Sequence, residues 1–170
     1  MEKIDFAPIV YKPIGIIHSA YQKGQKSPPP QGIYEPGSVG YVDIYPEYSE
    51  GLKDLDGFSH LVLLFHFHLS TNYDLVCYPR GDNQLRGVFA TRSPRRPNPI
   101  GCSVVELVKI EKTRLFVKRV DMYDGTPLLD IKPYVPVFDE ARELAEKFEG
   151  RVRLGWLSER LAREKKKGML

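Results

Sequence analysis

Three arginines, Arg92, Arg95 and Arg96, stand in GVFATRSPRRPNPIG (87–101) beside Pro94, Pro97 and Pro99, with no acidic residue among them. A guanidinium is a permanently charged fork of donors that suits a carboxylate or a phosphate. Each proline biases the residue before it, Ser93, Arg96 or Asn98, to extended backbone. The prolines also lack N–H donors, so the stretch makes a poor strand and a stiff loop whose ordering costs little entropy. These residue types predict an anion site; the plainer alternative is a stiffened loop with solvated arginines.

Two further clusters carry chemistry. VDMYDGTPLLDIKPY (120–134) gathers Asp121, Asp124 and Asp130 around Tyr123 and an Asp-Gly turn. Carboxylates there accept hydrogen bonds from a diol or an amine, or else Asp124 only shapes the turn with Gly125. SHLVLLFHFHL (59–69), read as a strand, alternates its faces. Leu61, Leu63, Phe65, Phe67 and Leu69 then share the core side, and His60, Val62, Leu64, His66 and His68 the other. His66 and His68 would ligate a metal if a third ligand such as Asp121 or Asp124 came near, and otherwise they line a polar cleft. The sequence holds no GxGxxG, no GxxxxGK[ST] and no GxSxG.

The elements that must position these clusters read mostly as strands. KPIGIIHS (12–19), GYVDIY (40–45), the histidine stretch (59–69), RGVFAT (86–91), SVVELVKIE (103–111) and RLFVKRVDM (114–122) are rich in Val, Ile, Phe and Tyr. Lys112 and Thr113 leave room only for a hairpin, and LLDIKPYVPVF (128–138) is a further extended segment. A short helix fits 48–58, but none of crossover length lies between strands, which favours a mainly β, mostly antiparallel barrel or sandwich. QKGQKSPPPQG (22–32) and NYDLVCYPRGDNQ (72–84) are loops long enough to be functional. From Phe138 the pattern turns helical: Ala141, Leu144, Ala145 and Phe148 recur at helical spacing, with Asp139 as N-cap and Gly150 as the stop. A second short helix ends in Lys165, Lys166 and Lys167, a solvated end or a nucleic-acid contact. The expected division is a barrel domain over 1–138 and a helical, basic extension over 139–170.

Composition sets the outer bounds. With 170 residues, 42% hydrophobic and 28% charged, the chain is long enough for one domain with a full core. A formal net charge of +3 is mild, so a polyanion must meet a patch and not bulk charge. Cys77 and Cys102 make neither a disulfide framework nor a zinc signature. With no signal pattern and no apolar run of spanning length, the expectation is a cytoplasmic protein with reduced thiols.

GLKDLDGFSHLVLLFHFH, RGVFATRSPRRPNPIGCSVVEL and DGTPLLDIKPYVP, in that order, resemble the TsaA-like family, which includes tRNA methyltransferases. The resemblance runs from about 13 to 138. It implies a single-sheeted barrel, usually dimeric, that binds S-adenosylmethionine and methylates N6 of the threonylcarbamoyl-modified adenosine 3′ of the anticodon. By the same resemblance the cofactor positions are Pro30, Gln31, His68, Leu69, Arg92 and Cys102, together with Arg119, Val120, Asp121, Met122, Tyr123, Asp124 and Gly125. Where bacterial members tend to have PRQ and HQ, this chain has PPQ and HL, so Pro30 and Leu69 would contribute backbone or apolar contacts. Such an acceptor nitrogen needs a base, for which His66, Asp121, Tyr123 and Asp124 are candidates. The phosphates of an anticodon loop suit Arg80, Arg95, Arg96 and Lys165 to Lys167. No metal and no membrane partner is expected. Two other readings stand beside this one: a metal-dependent barrel enzyme using His66 and His68, and a non-catalytic RNA-binding barrel.

Overall fold

The structure, a computed structural model, describes residues 6–29, 37–140 and 155–166. Its centre is a closed barrel of six strands. They are β1 (Gly15–Ser19), β2 (Val39–Ile44), β3 (His60–His66), β6 (Ile100–Glu111), β7 (Arg114–Lys118) and β8 (Thr126–Pro133). Around the barrel they run β1-β2-β7-β6-β3-β8, each neighbour antiparallel to the next. Closure leaves no unpaired sheet edge. A separate ribbon pairs β4 (Val76–Cys77) with β5 (Arg86–Gly87).

Alternation dictates this arrangement. In β3 the residues Leu61, Leu63 and Phe65 are buried and the residues between them half-buried. Their counterparts are Ile17, Val42, Val105, Leu115, Val117 and Leu128, which meet inside the barrel as one core. Burying such side chains away from water is the main favourable term that holds the barrel together. β6 and β7 join through Lys112, whose positive φ of 56° makes the tight hairpin that the short connection required.

Four expectations are revised. The strand over 59–69 stops at His66, because the Phe67 N–H donates to the Pro99 carbonyl and the His68 N–H folds back to the His66 carbonyl. Phe67 then packs edge-on to Phe65, and His66 and His68 no longer share a strand face. The strand over 86–91 shrinks to Arg86–Gly87, followed by a 3-10 turn at Val88–Ala90 that buries Val88. The helix expected near 48–58 is two 3-10 turns, Pro46–Leu52 and Leu55–Gly57, whose Leu52 and Leu55 pack on the core. The tail begins as a single turn, α1 (Pro136–Asp139), with the Asp139 carboxylate accepting from the Val135 N–H, and the backbone is extended again at Glu140. The rest of the helix expected over 139–149 lies outside the described residues. The second helix is α2 (Leu157–Lys166). No helix among the described residues is long and apolar enough to cross a membrane.

Register gathers one set of strand ends. Ile17 opposes Thr126, Ser19 opposes Gly40, Val39 opposes Lys118, and His66 opposes Ile100. The ends of β1, β3 and β7 and the starts of β2, β6 and β8 therefore lie at one mouth of the barrel.

Candidate cofactor and RNA site

At that mouth the segment after β7 supplies most of the polar groups. β7 ends because Arg119 takes a positive φ of 65°, a strained conformation for a side chain of its size. The Arg119 N–H donates to the Ser38 carbonyl, and Val120 and Met122 bury their side chains in the core. The chain then turns through Asp124 and Gly125, where glycine accommodates a φ of 76°. The Asp124 N–H bonds the Tyr21 carbonyl at 2.8 Å and the Gly125 N–H bonds the Ile17 carbonyl at 3.0 Å, pinning the turn to the end of β1.

Side chains close around the turn. Asp124 Oδ1 accepts from the Ser19 N–H at 3.2 Å and lies 3.1 Å from His18 Nδ1. The Tyr123 hydroxyl reaches Ser27 Oγ at 3.3 Å, joining the turn to the Pro/Gly loop that begins at residue 22. Thr126, 3% exposed, donates to the Tyr123 carbonyl at 2.7 Å and meets His68 Nδ1 at 3.4 Å. Burial, and then the charge of His66, lower the pKa of His68 from the ordinary histidine value. His68 is thus a neutral imidazole at pH 7. Leu69 lies beside it, half-buried.

The arginine loop frames the same mouth. Arg92 Nη1 donates to the Cys102 carbonyl at 3.5 Å, which brings these two expected cofactor positions together. Arg96 does something the composition did not suggest. Its Nη1 donates inward to the carbonyls of Thr91, Val88 and Ser93 at 2.9, 3.3 and 3.3 Å, and its guanidinium lies 6.0 Å from the Phe89 ring. That cation holds the loop in shape. Arg95 is ion-paired to Asp74 at 2.8 Å, so the acid missing from the stretch itself arrives from the preceding loop. Cys77 meets Thr91 at 3.9 Å and the Leu75 carbonyl accepts from the Val88 N–H, tying the ribbon to the arginine loop as one side arm.

α2 docks on this arm. Trp156 Nε1 donates to the Ala90 carbonyl at 2.8 Å, Arg86 lies over the indole, and Arg160 donates to the Arg80 carbonyl at 2.6 Å. Arg80 itself donates to the Pro28 carbonyl at 3.3 Å. The basic last turn of α2, with Arg163, Lys165 and Lys166, is therefore carried by the element that bonds Arg80. Pro30, Gln31 and Lys167 lie outside the described residues.

Among the described residues no three His, Cys, Asp or Glu side chains are placed to hold a metal ion, and the histidine pair has lost its shared face. By contrast Arg119 Nε is sealed from solvent and has no hydrogen-bond partner among the described residues. A buried donor left without an acceptor costs about 1–3 kcal/mol, and it lies next to the strained φ of the same residue. His18, Thr126 and Asp74 are the contributors that motif reading missed. Their partners lie 106, 58 and 21 residues away in sequence, so only the register could reveal them.

Comparison with known proteins identifies the family of the chain. The family described as the tRNA-methyltransferase O N-terminal domain matches residues 16–140. A probable S-adenosyl-L-methionine-binding protein of Pyrococcus abyssi is 50% identical over 149 residues, covering 88% of this chain and 76% of that protein. A mouse tRNA (adenine(37)-N6)-methyltransferase is 46% identical over 103 residues, 59% of this chain and 23% of that one. The crystal structure of TrmO from Pseudomonas aeruginosa superposes with a TM-score of 0.69 at 36% identity, covering 88% of this chain and 62% of the TrmO chain. The chain thus spans about six-tenths of that solved structure. On the extent of the family match and the identity to its relatives, the chain belongs to the family of the tRNA-methyltransferase O N-terminal domain.

Proposed function

We propose that this chain is an S-adenosylmethionine-dependent tRNA methyltransferase whose acceptor is N6 of the threonylcarbamoyl-modified adenosine 3′ of the anticodon. The observation that supports the reading is the turn at 121–125, pinned by hydrogen bonds to the end of β1 and tied through Thr126 to His68. When bound, the cofactor supplies an electrophilic methyl group for in-line displacement. Arg119 and Arg92 hold its carboxylate, and Asp121 and Asp124 accept from its hydroxyl and amino donors. Leu69, half-buried beside His68, would give an apolar contact, Val120 and Met122, whose side chains are in the core, would offer backbone, and Pro30 and Gln31 are the remaining proposed contacts. His68, kept neutral, offers a nitrogen without adding a cation beside a sulfonium. The base for the acceptor N–H comes from His66, Asp121, Tyr123 or Asp124, all on elements that end at this mouth. Fixing two reactants in line supplies much of the acceleration of such a transfer.

tRNA phosphates meet the side arm. Arg95, 55% exposed, trades a solvent-screened pair with Asp74 for phosphate, and Arg80, Lys165, Lys166 and Lys167 extend the basic surface. Arg96, engaged with loop carbonyls, serves by keeping Arg92 and Arg95 in place. The chain acts as a homodimer in the cytoplasm, joined through the side arm.

Calorimetry with S-adenosylmethionine and methyl transfer to tRNA carrying the threonylcarbamoyl group test the assignment. Arg92→Ala weakens cofactor binding about tenfold or more, the range for a lost charge-assisted hydrogen bond. Arg95→Ala leaves cofactor affinity alone, weakens tRNA binding and lowers its salt slope by about 1. Wild-type protein that binds the cofactor and tRNA yet transfers no methyl would mark a binding barrel instead. Loss of neither affinity in the two variants would sink the anion-site reading.

A further inference from the structure

His18 belongs to none of the motifs, yet it is the side chain that touches the carboxylate turn. In β1 the core takes Ile17, so His18 faces the other way, opposite Tyr41 of β2. The Tyr41 ring stacks on the imidazole with centroids 4.6 Å apart and planes 20° from parallel, and the Arg114 guanidinium lies 4.2 Å from the Tyr41 centroid. Nδ1 is 3.1 Å from Asp124 Oδ1, and Nε2 is 3.8 Å from Asp43 Oδ2. Asp43 is in turn held by Arg114 in a two-pronged pair of 2.6 and 2.8 Å, which keeps its pKa below the ordinary aspartate value. The charged groups around the imidazole are therefore Asp124 on one side and the Asp43–Arg114 pair on the other. Among the described residues every protein bond to the Asp124 carboxylate ends on Oδ1.

We propose that His18 is a positioning residue: its imidazole, braced by Tyr41 and Asp43, fixes Oδ1 of Asp124 so that Oδ2 is presented to a hydroxyl or amine donor of the cofactor. This rests on the reading of the mouth as the S-adenosylmethionine site. The physical reason is preorganisation. Asp124 is 39% exposed, and a carboxylate at such a surface rotates unless something holds one oxygen. The Ser19 N–H alone is a single, longer bond to the same atom. Adding the imidazole removes that rotation before the ligand arrives, so less ordering is needed on binding.

The test separates this role from plain packing on Tyr41. An asparagine amide places its nitrogen near the position of Nδ1, whereas glutamine places it near Nε2. By calorimetry His18→Ala and His18→Gln lose about tenfold or more in S-adenosylmethionine affinity, the range for a lost hydrogen bond to a charged group. The KM for the cofactor rises in the same ratio while kcat changes less, and His18→Asn recovers most of both. Melting temperatures of the Asn and Gln variants stay close together, and if His18→Ala fails to fold that pair decides alone. Equal cofactor affinity in His18→Asn and His18→Gln, or in His18→Ala and wild type, overturns the proposal while the site reading stands. Wild-type protein that binds no S-adenosylmethionine overturns both.

Discussion

His68 sits where β3 gives way to a turn, packed toward Thr126 and within the field of His66. Burial disfavours its charged form first, and the nearby His66 adds to that. Because its folded pKa lies below the unfolded value, the unfolded chain binds more protons as the pH falls through the imidazole range. The stability linked to His68 is therefore fully present above about pH 6.5, the unfolded value, and is lost as pH drops toward the lower folded one. Histidine NMR should give His68 a midpoint below that of a free imidazole, and His68→Gln should flatten the fall in urea midpoint between about pH 7 and pH 5. A His68 that titrates at or above the ordinary value contradicts the burial argument. Residue types told less about the arginines. Their density pointed to anions, yet Arg96 spends its donors on three backbone carbonyls and Arg95 meets Asp74. A guanidinium is as good a clamp for carbonyls as for phosphates, and only the path of the loop decides which it meets.

At the scale of elements, the glycine that closes PNPIG has a structural use. Gly101 starts β6 opposite Phe65, and a Cβ there would run into the Phe65 ring. That ring is 2% exposed and packed on Phe67, so it has little room to swing away. Gly101→Ala is expected to cost about 1–3 kcal/mol by overpacking, read as a lower urea midpoint. Gly87→Ala is the control: a Cβ there meets nothing within 4 Å, and it should leave the midpoint nearly unchanged. Comparable losses in both variants would refute the collision. Most of the barrel was legible, because Val-, Ile- and Phe-rich stretches marked its strands and alternation marked Leu61, Leu63 and Phe65 as inward. The ends of elements were not. β3 was expected to run on to Leu69, since Phe67 continues the pattern, but the Pro99 carbonyl captures the Phe67 N–H and turns the chain.

The whole molecule has two faces of different chemistry. The barrel closes on itself, whereas the side arm carries Leu75, Val76, Tyr78, Leu85 and Phe89 at 62%, 58%, 63%, 56% and 77% exposure. Scattered apolar residues are ordinary on a surface, but so many large exposed ones on one short arm suit an interaction face. The occupant proposed above is a second copy of this chain, meeting the first through the arm. Such a contact also sets arginine loops from two chains near one another, so one anticodon stem would meet basic groups from both. A dimer was expected from the sequence through resemblance alone, because the apolar residues of 73–89 show no strand or helix period that would set them apart as a face. Sedimentation equilibrium gives the answer directly. Wild type is expected at twice the mass of the 19.5 kDa chain, and Phe89→Asp, which puts a charge at the most exposed apolar position of the arm, at the monomer mass. Phe89 contributes nothing to the barrel core, so the variant should still melt in one cooperative transition. tRNA affinity should fall with the loss of the second subunit's arginines, and its salt slope should become shallower in proportion to the phosphates no longer contacted. A wild type that sediments as a monomer, or a Phe89→Asp dimer, would remove the arm from the interface and leave its apolar face for another partner.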